Sequence, residues 1–96
     1  MSQQFMTDIG PIDILVKNKQ TGNHVVIELK RGQTSDQTVG QLTRYMGWVK
    51  EKLNDEGVTG IIIAGQFDER LRLAISVVPN TEIFLYAIDF SLERQQ

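Results

Sequence analysis

Residues 12–30 read IDILVKNKQTGNHVVIELK. Residues 12–17 are apolar and β-rich, residues 18–23 form a polar run whose Gly22 and Asn23 suit a turn, and residues 24–30 resume an apolar alternation. The stretch predicts a β-hairpin. Side chains alternate along a strand, so His24, Val26, Glu28 and Lys30 share one face while Val25, Ile27 and Leu29 point to the other. Leu29 is expected to sit in the core and anchor its strand. If paired residues have numbers that sum to 41 or 43, Asp13 lies opposite Glu28 or Lys30 on their face; an even sum hides it behind the sheet.

Downstream, Thr34 and Gln37 match a capping box with Asp36 in the first turn, so a helix is expected there. Val39, Leu42, Met46, Val49 and Leu53 form its apolar stripe, and Asn54 to Gly57 end it. Residues 58–64 contain a continuous apolar run that fits a central strand covered on both faces. Asp68 caps a second helix, in which Leu71, Ala74, Ile75 and Val78 share a face before Pro79 and Asn80 stop it. A last strand runs over residues 81–90. The order is β-β-α-β-α-β: an α/β fold in which a mixed sheet, with a hairpin at one side, is flanked by helices.

With 96 residues the chain makes one small domain. Its 41% hydrophobic and 23% charged residues are those of a globular protein. It has no cysteine, hence no disulfide and no thiolate metal site. No leader is evident at Met1 and no apolar run approaches the ~20 residues of a bilayer span, so a cytoplasmic location without membrane contact is expected. The net charge of -2 is not that of a strongly basic nucleic-acid binder. Charge is uneven, however. Residues 1–53 carry seven Lys/Arg against five Asp/Glu, and residues 54–96 carry three against seven.

The basic half holds the pattern D(x14)ExK(x10)QxxxY: Asp13, then Glu28 and Lys30, then Gln41 and Tyr45. Two carboxylates one strand apart can share a Mg2+ or Mn2+ that keeps water and phosphate oxygens as its other ligands. Lys30 on the same face would stabilise negative charge developing on a phosphoryl group. Gln41 and Tyr45 lie one turn apart and off the apolar stripe, from where they would project together toward the strand ends. An ExK triplet alone is weak, since a surface carboxylate beside a surface lysine is commonplace. It is the placement on two strands and the following helix that points to phosphodiester hydrolysis.

From Gly10 onward the chain resembles the PD-(D/E)xK nuclease superfamily in its RecB-like branch, whose fold is restriction-endonuclease-like. Residues 10–15, 26–32 and 39–49 are especially similar to the catalytic domain of NucS-type (EndoMS) endonucleases. The resemblance implies a metal-dependent DNA endonuclease acting at branched or mismatched DNA, with no organic cofactor. It carries metal binding to Asp13, Glu28 and the Leu29 carbonyl, catalysis to Lys30, and accessory roles to Gln41 and Tyr45. That fold normally begins with a helix supplying another acid, whereas here only twelve residues precede Asp13 and Asp8 is their sole acid. The chain is therefore expected to be either part of a longer protein or a minimal member completed as a homodimer, because the missing helix leaves apolar sheet exposed. A catalytically inactive nuclease-like module that binds DNA or protein is the alternative.

Other residues admit plainer roles. His24 shares the Glu28 face, but four residues of strand put it roughly 13 Å away, so it is read as structural or solvent-exposed. Trp48 is expected to be buried against the sheet or a subunit interface rather than to stack on bases. Gly40 and Gly47 share a helical stripe and suggest close packing. Arg31 and Arg44 are candidates for DNA phosphate contacts.

Overall fold

The computed structural model describes residues 5–30 and 36–85. A short antiparallel hairpin comes first, β1 (Phe5–Thr7) with β2 (Gly10–Ile12). The chain bends at Asp13, continues as β3 (Ile14–Lys17) and returns as β4 (His24–Lys30). Then come α1 (Asp36–Lys52), β5 (Thr59–Ala64), α2 (Glu69–Ser76) and β6 (Thr81–Leu85). The second sheet has the order β3-β4-β5-β6, antiparallel across the first pair and parallel across the other two. The expected β-β-α-β-α-β order is present, preceded by a hairpin that sequence reading did not anticipate. Thr34, Arg31 and the expected continuation of the last strand past Leu85 lie outside the described residues.

The turn between β3 and β4 is built by Asn18. Its side-chain oxygen accepts from the Gln20 and Thr21 amides at 2.8 and 3.3 Å, an Asx-type turn that reverses the chain. α1 ends at Asn54, which takes the left-handed conformation (φ 53°) while the Asp55 amide donates to the Lys50 carbonyl. The buried Asp55 carboxylate then accepts from the Gly57 amide and from both the backbone and the ring Nδ1 of His24. His24 is thus structural, tying the start of β4 to the loop that leads into β5. Asp68 caps α2 as expected, accepting from the Arg70 and Leu71 amides.

Val26, Glu28, Gly60, Ile62 and Ala64 all point from the sheet toward α1 and are buried. Leu42, Tyr45 and Val49 of α1 and Leu71 and Ile75 of α2 complete this core. The helix can lie this close because Gly60 has no side chain: a Cβ there would stand 2.5 Å from Met46 Sδ and 3.1 Å from the Leu42 methyls. The expectation of coverage on both faces is corrected. Val25, Ile27, Ile61 and Ile63 on the other face are only half-buried, and Phe84 is 51% exposed. Leu29 belongs to that face and is 37% exposed, not a core anchor. The reason is topological: successive parallel crossovers stepping the same way with one hand put both helices on one side of the sheet.

Gly40 and Gly47 are corrected as well. Among the described residues, a Cβ at Gly47 would meet nothing within 4 Å and one at Gly40 only the Arg44 guanidinium at 3.8 Å, so none of them packs closely on either.

Candidate active site

The hairpin register brings the two carboxylates together. Ile14 pairs with Ile27 and Leu15 with Val26, a sum of 41, so one further step sets Asp13 opposite Glu28 on the same face. Because the chain bends at Asp13, its side chain is free to turn onto β4, where Oδ2 accepts from the Leu29 amide at 3.1 Å. Leu29 therefore contributes through its backbone while its side chain faces away.

Glu28 is 1% exposed, and among the described residues its Oε2 has no hydrogen-bond partner. Its pKa is pushed up to about 7: burial contributes most, the Asp13 charge and a hydrogen bond with Asp13 add to it, and the Lys30 ammonium opposes them. A buried carboxylate beside another, with one oxygen unsatisfied, stands in an environment that asks for a proton or a cation. Lys30 closes β4, half-buried, with its carbonyl accepting from the Gly65 amide at 2.8 Å where β5 ends.

Among the described residues no group of three or more His, Cys, Asp or Glu is placed to hold a metal ion. The donor set is the two carboxylates of Asp13 and Glu28. Such a set fits a hard divalent cation like Mg2+, which keeps several waters and takes only one or two carboxylates from a protein.

The accessory pair is only partly where it was expected. Gln41 is half-buried on α1, but Tyr45 is 5% exposed and belongs to the core, because β2 covers that side of the helix and widens its buried face. The Tyr45 hydroxyl comes to rest against Gly10. Arg44 is exposed, and Arg31 is outside the described residues. Trp48 is half-buried, packed against the core and held by β1–β2: its indole N–H donates to Asp8 and its ring meets Phe5 edge-on, centroids 6.0 Å apart. Asp8 is thus occupied at the hairpin turn. Sequence reading passed over Phe5 and gave Gly10 no structural role, although Asp-x-Gly between short apolar stretches is a turn signal.

Fold and site together define a mixed α/β domain that presents an acidic pair and a lysine at one end of its sheet. The chain belongs to the endonuclease NucS C-terminal domain family, whose model matches residues 1–83. It is 36% identical over 64 residues to Endonuclease NucS of Methanocaldococcus jannaschii, covering 67% of this chain and 24% of that protein. It is 39% identical over 67 residues to Endonuclease NucS of Sulfolobus acidocaldarius, covering 70% and 26%. The chain thus spans about a quarter of the length of these curated relatives. A crystal structure of a repair endonuclease from Pyrococcus abyssi superposes with a TM-score of 0.70 at 26% identity, covering 88% of this chain and 38% of that one. A structure of EndoMS with double-stranded DNA gives 0.63 at 25% identity, covering 88% and 36%. Among the described residues no helix is long and apolar enough to cross a membrane.

Proposed function

We propose that this chain is a metal-dependent DNA endonuclease domain of PD-(D/E)xK type that hydrolyses phosphodiester bonds, with branched or mismatched DNA as the substrate class. The observation that carries this is the buried carboxylate of Glu28, on the strand that ends in Lys30, set against Asp13 and with one oxygen that no described residue partners. Membership of the NucS C-terminal family and the likeness to a structure of EndoMS with DNA support it.

Asp13, Glu28 and the Leu29 carbonyl would hold Mg2+ or Mn2+. The ion, when bound, supplies Lewis acidity toward a phosphoryl oxygen and makes its water a better nucleophile. The protein's own part is positional and electrostatic. The Leu29 amide holds the Asp13 carboxylate at the edge of β4, and the packing around Glu28 shields its carboxylate from bulk solvent. Lys30, close enough to oppose the Glu28 shift, stabilises charge that builds on the phosphate. Gln41, half-buried on α1, is the remaining accessory group. Arg44, exposed on the same helix, is a phosphate contact for the flanking DNA.

The experiment is incubation with branched, mismatched and plain duplex DNA in Mn2+. Cleavage of the irregular substrates, lowered by roughly 10³-fold or more in Glu28→Gln, is expected. An intact preparation that cuts none of them overturns the reading. A second reading is a nuclease-like module that does not cut and binds a partner protein or DNA; the net charge of -2, unlike that of a strongly basic nucleic-acid binder, favours the protein partner. It predicts no Mn2+-dependent turnover of any DNA substrate.

A further inference from the structure

We propose that the β1–β2 hairpin is the arm that aims Asp13, and that Gly10 is its positioning residue, seated against the Tyr45 hydroxyl. This rests on the reading of Asp13 as a metal ligand.

Two residues, Pro11 and Ile12, separate Gly10 from the end of the arm at Asp13, and each fixed point along the way is visible. Gly10 pairs with Thr7 across the hairpin, and its carbonyl also accepts from the Thr7 hydroxyl. Its φ of +126° is one that side-chain-bearing residues rarely adopt. A Cβ there would stand 2.7 Å from the Tyr45 hydroxyl oxygen, whereas the nearest ring carbons are at 3.8 and 3.9 Å. The collision is therefore with the hydroxyl alone. Two residues on, Ile12 is fully buried in the core, and the next residue is Asp13.

A second clamp lies one turn further along α1. Trp48 donates its indole N–H to Asp8 and packs edge-on against Phe5, so the turn and the first strand of the hairpin are both held to the same helix. From the helix the fixed path runs through Tyr45 and Trp48 to the hairpin, then through Gly10 and Ile12 to the carboxylate. Tyr45, whose ring is buried and whose hydroxyl meets backbone, is in this account a positioning residue and not a contact to phosphate or water. Groups that orient metal ligands from outside typically change metal affinity about 10–100-fold when altered.

The test combines a stability cycle with Mn2+ titration calorimetry on G10A, Y45F and the double variant. In denaturant unfolding, Y45F is expected to recover part of the G10A loss, because removing the hydroxyl relieves the collision while the backbone cost of Ala at this φ remains. In calorimetry, G10A is expected to weaken Mn2+ binding about tenfold, Y45F alone less than threefold, and the double variant to recover most of the loss. A strictly additive stability cycle overturns the seat. Unchanged Mn2+ affinity in folded G10A, or Y45F as damaging as G10A, overturns the positioning role. Should G10A not fold, W48F, which removes the indole donor to Asp8, takes its place: weakened Mn2+ binding with near-native stability supports the arm, and unchanged binding overturns it. If the wild-type chain binds no Mn2+, the metal-site reading fails, while the stability cycle still decides whether Gly10 and Tyr45 are coupled.

Discussion

Glu28 is the residue where stability and chemistry pull apart. A carboxyl whose folded pKa is about 7 binds its proton more tightly in the native than in the unfolded chain, where the ordinary value is 4.5. Between those two values the native state holds more protons, so stability is full below about pH 4.5 and falls as pH rises to 7. Without metal, Glu28→Gln removes the buried charge and is expected to raise stability at pH 8 by on the order of 1–3 kcal/mol, a gain that shrinks as pH falls below about 7 and is gone near pH 4. Denaturant unfolding in chelator across that range checks it, and a gain independent of pH contradicts the assignment. The juxtaposition behind this was legible in the sequence. Alternation put Glu28 and Lys30 on one face, and an odd register was the condition for Asp13 to join them. Which register holds was not legible, since the Asn18 turn and the bend at Asp13 decide it together.

At the scale of elements, the close seat of α1 on β5 and the caps at the helix ends hold the site's strands in place. Ile62→Ala deletes a fully buried side chain directly beside Glu28 in the register and is expected to cost about 2–5 kcal/mol. Asp68→Ala removes the cap of α2 and is expected to cost about 1 kcal/mol. Thermal or denaturant unfolding separates the two, and a cap variant as damaging as the core variant contradicts the placement. The helices were readable because their apolar positions recur at turns of three and four. Tyr45 was misplaced because that stripe was drawn against the sheet alone. The β1–β2 hairpin adds a second buried side to α1, and its strands of three residues are too short to carry a periodic signal.

For the molecule as a whole, both helices lie on one side of the sheet and the described residues leave Ile14, Val16, Ile27, Ile63 and Phe84 on a face that no described element covers. The run of isoleucines in β5 reads as covered on both sides because an apolar strand looks alike whether its second face meets a helix or another molecule. An apolar face that no described element covers supports the proposal that the chain forms a homodimer. Sedimentation equilibrium is expected to show a dimer that Ile63→Lys, on this face, converts to a folded monomer. A wild-type monomer at high concentration contradicts it.

The central claim, that Asp13 and Glu28 form one metal site, is tested most directly by a crystal of the chain soaked in Mn2+. The expected result is an anomalous peak within coordination distance of the Asp13 and Glu28 carboxylates and the Leu29 carbonyl, lost in Glu28→Gln. A well-ordered site with no peak there, or a peak that survives the substitution, would contradict it.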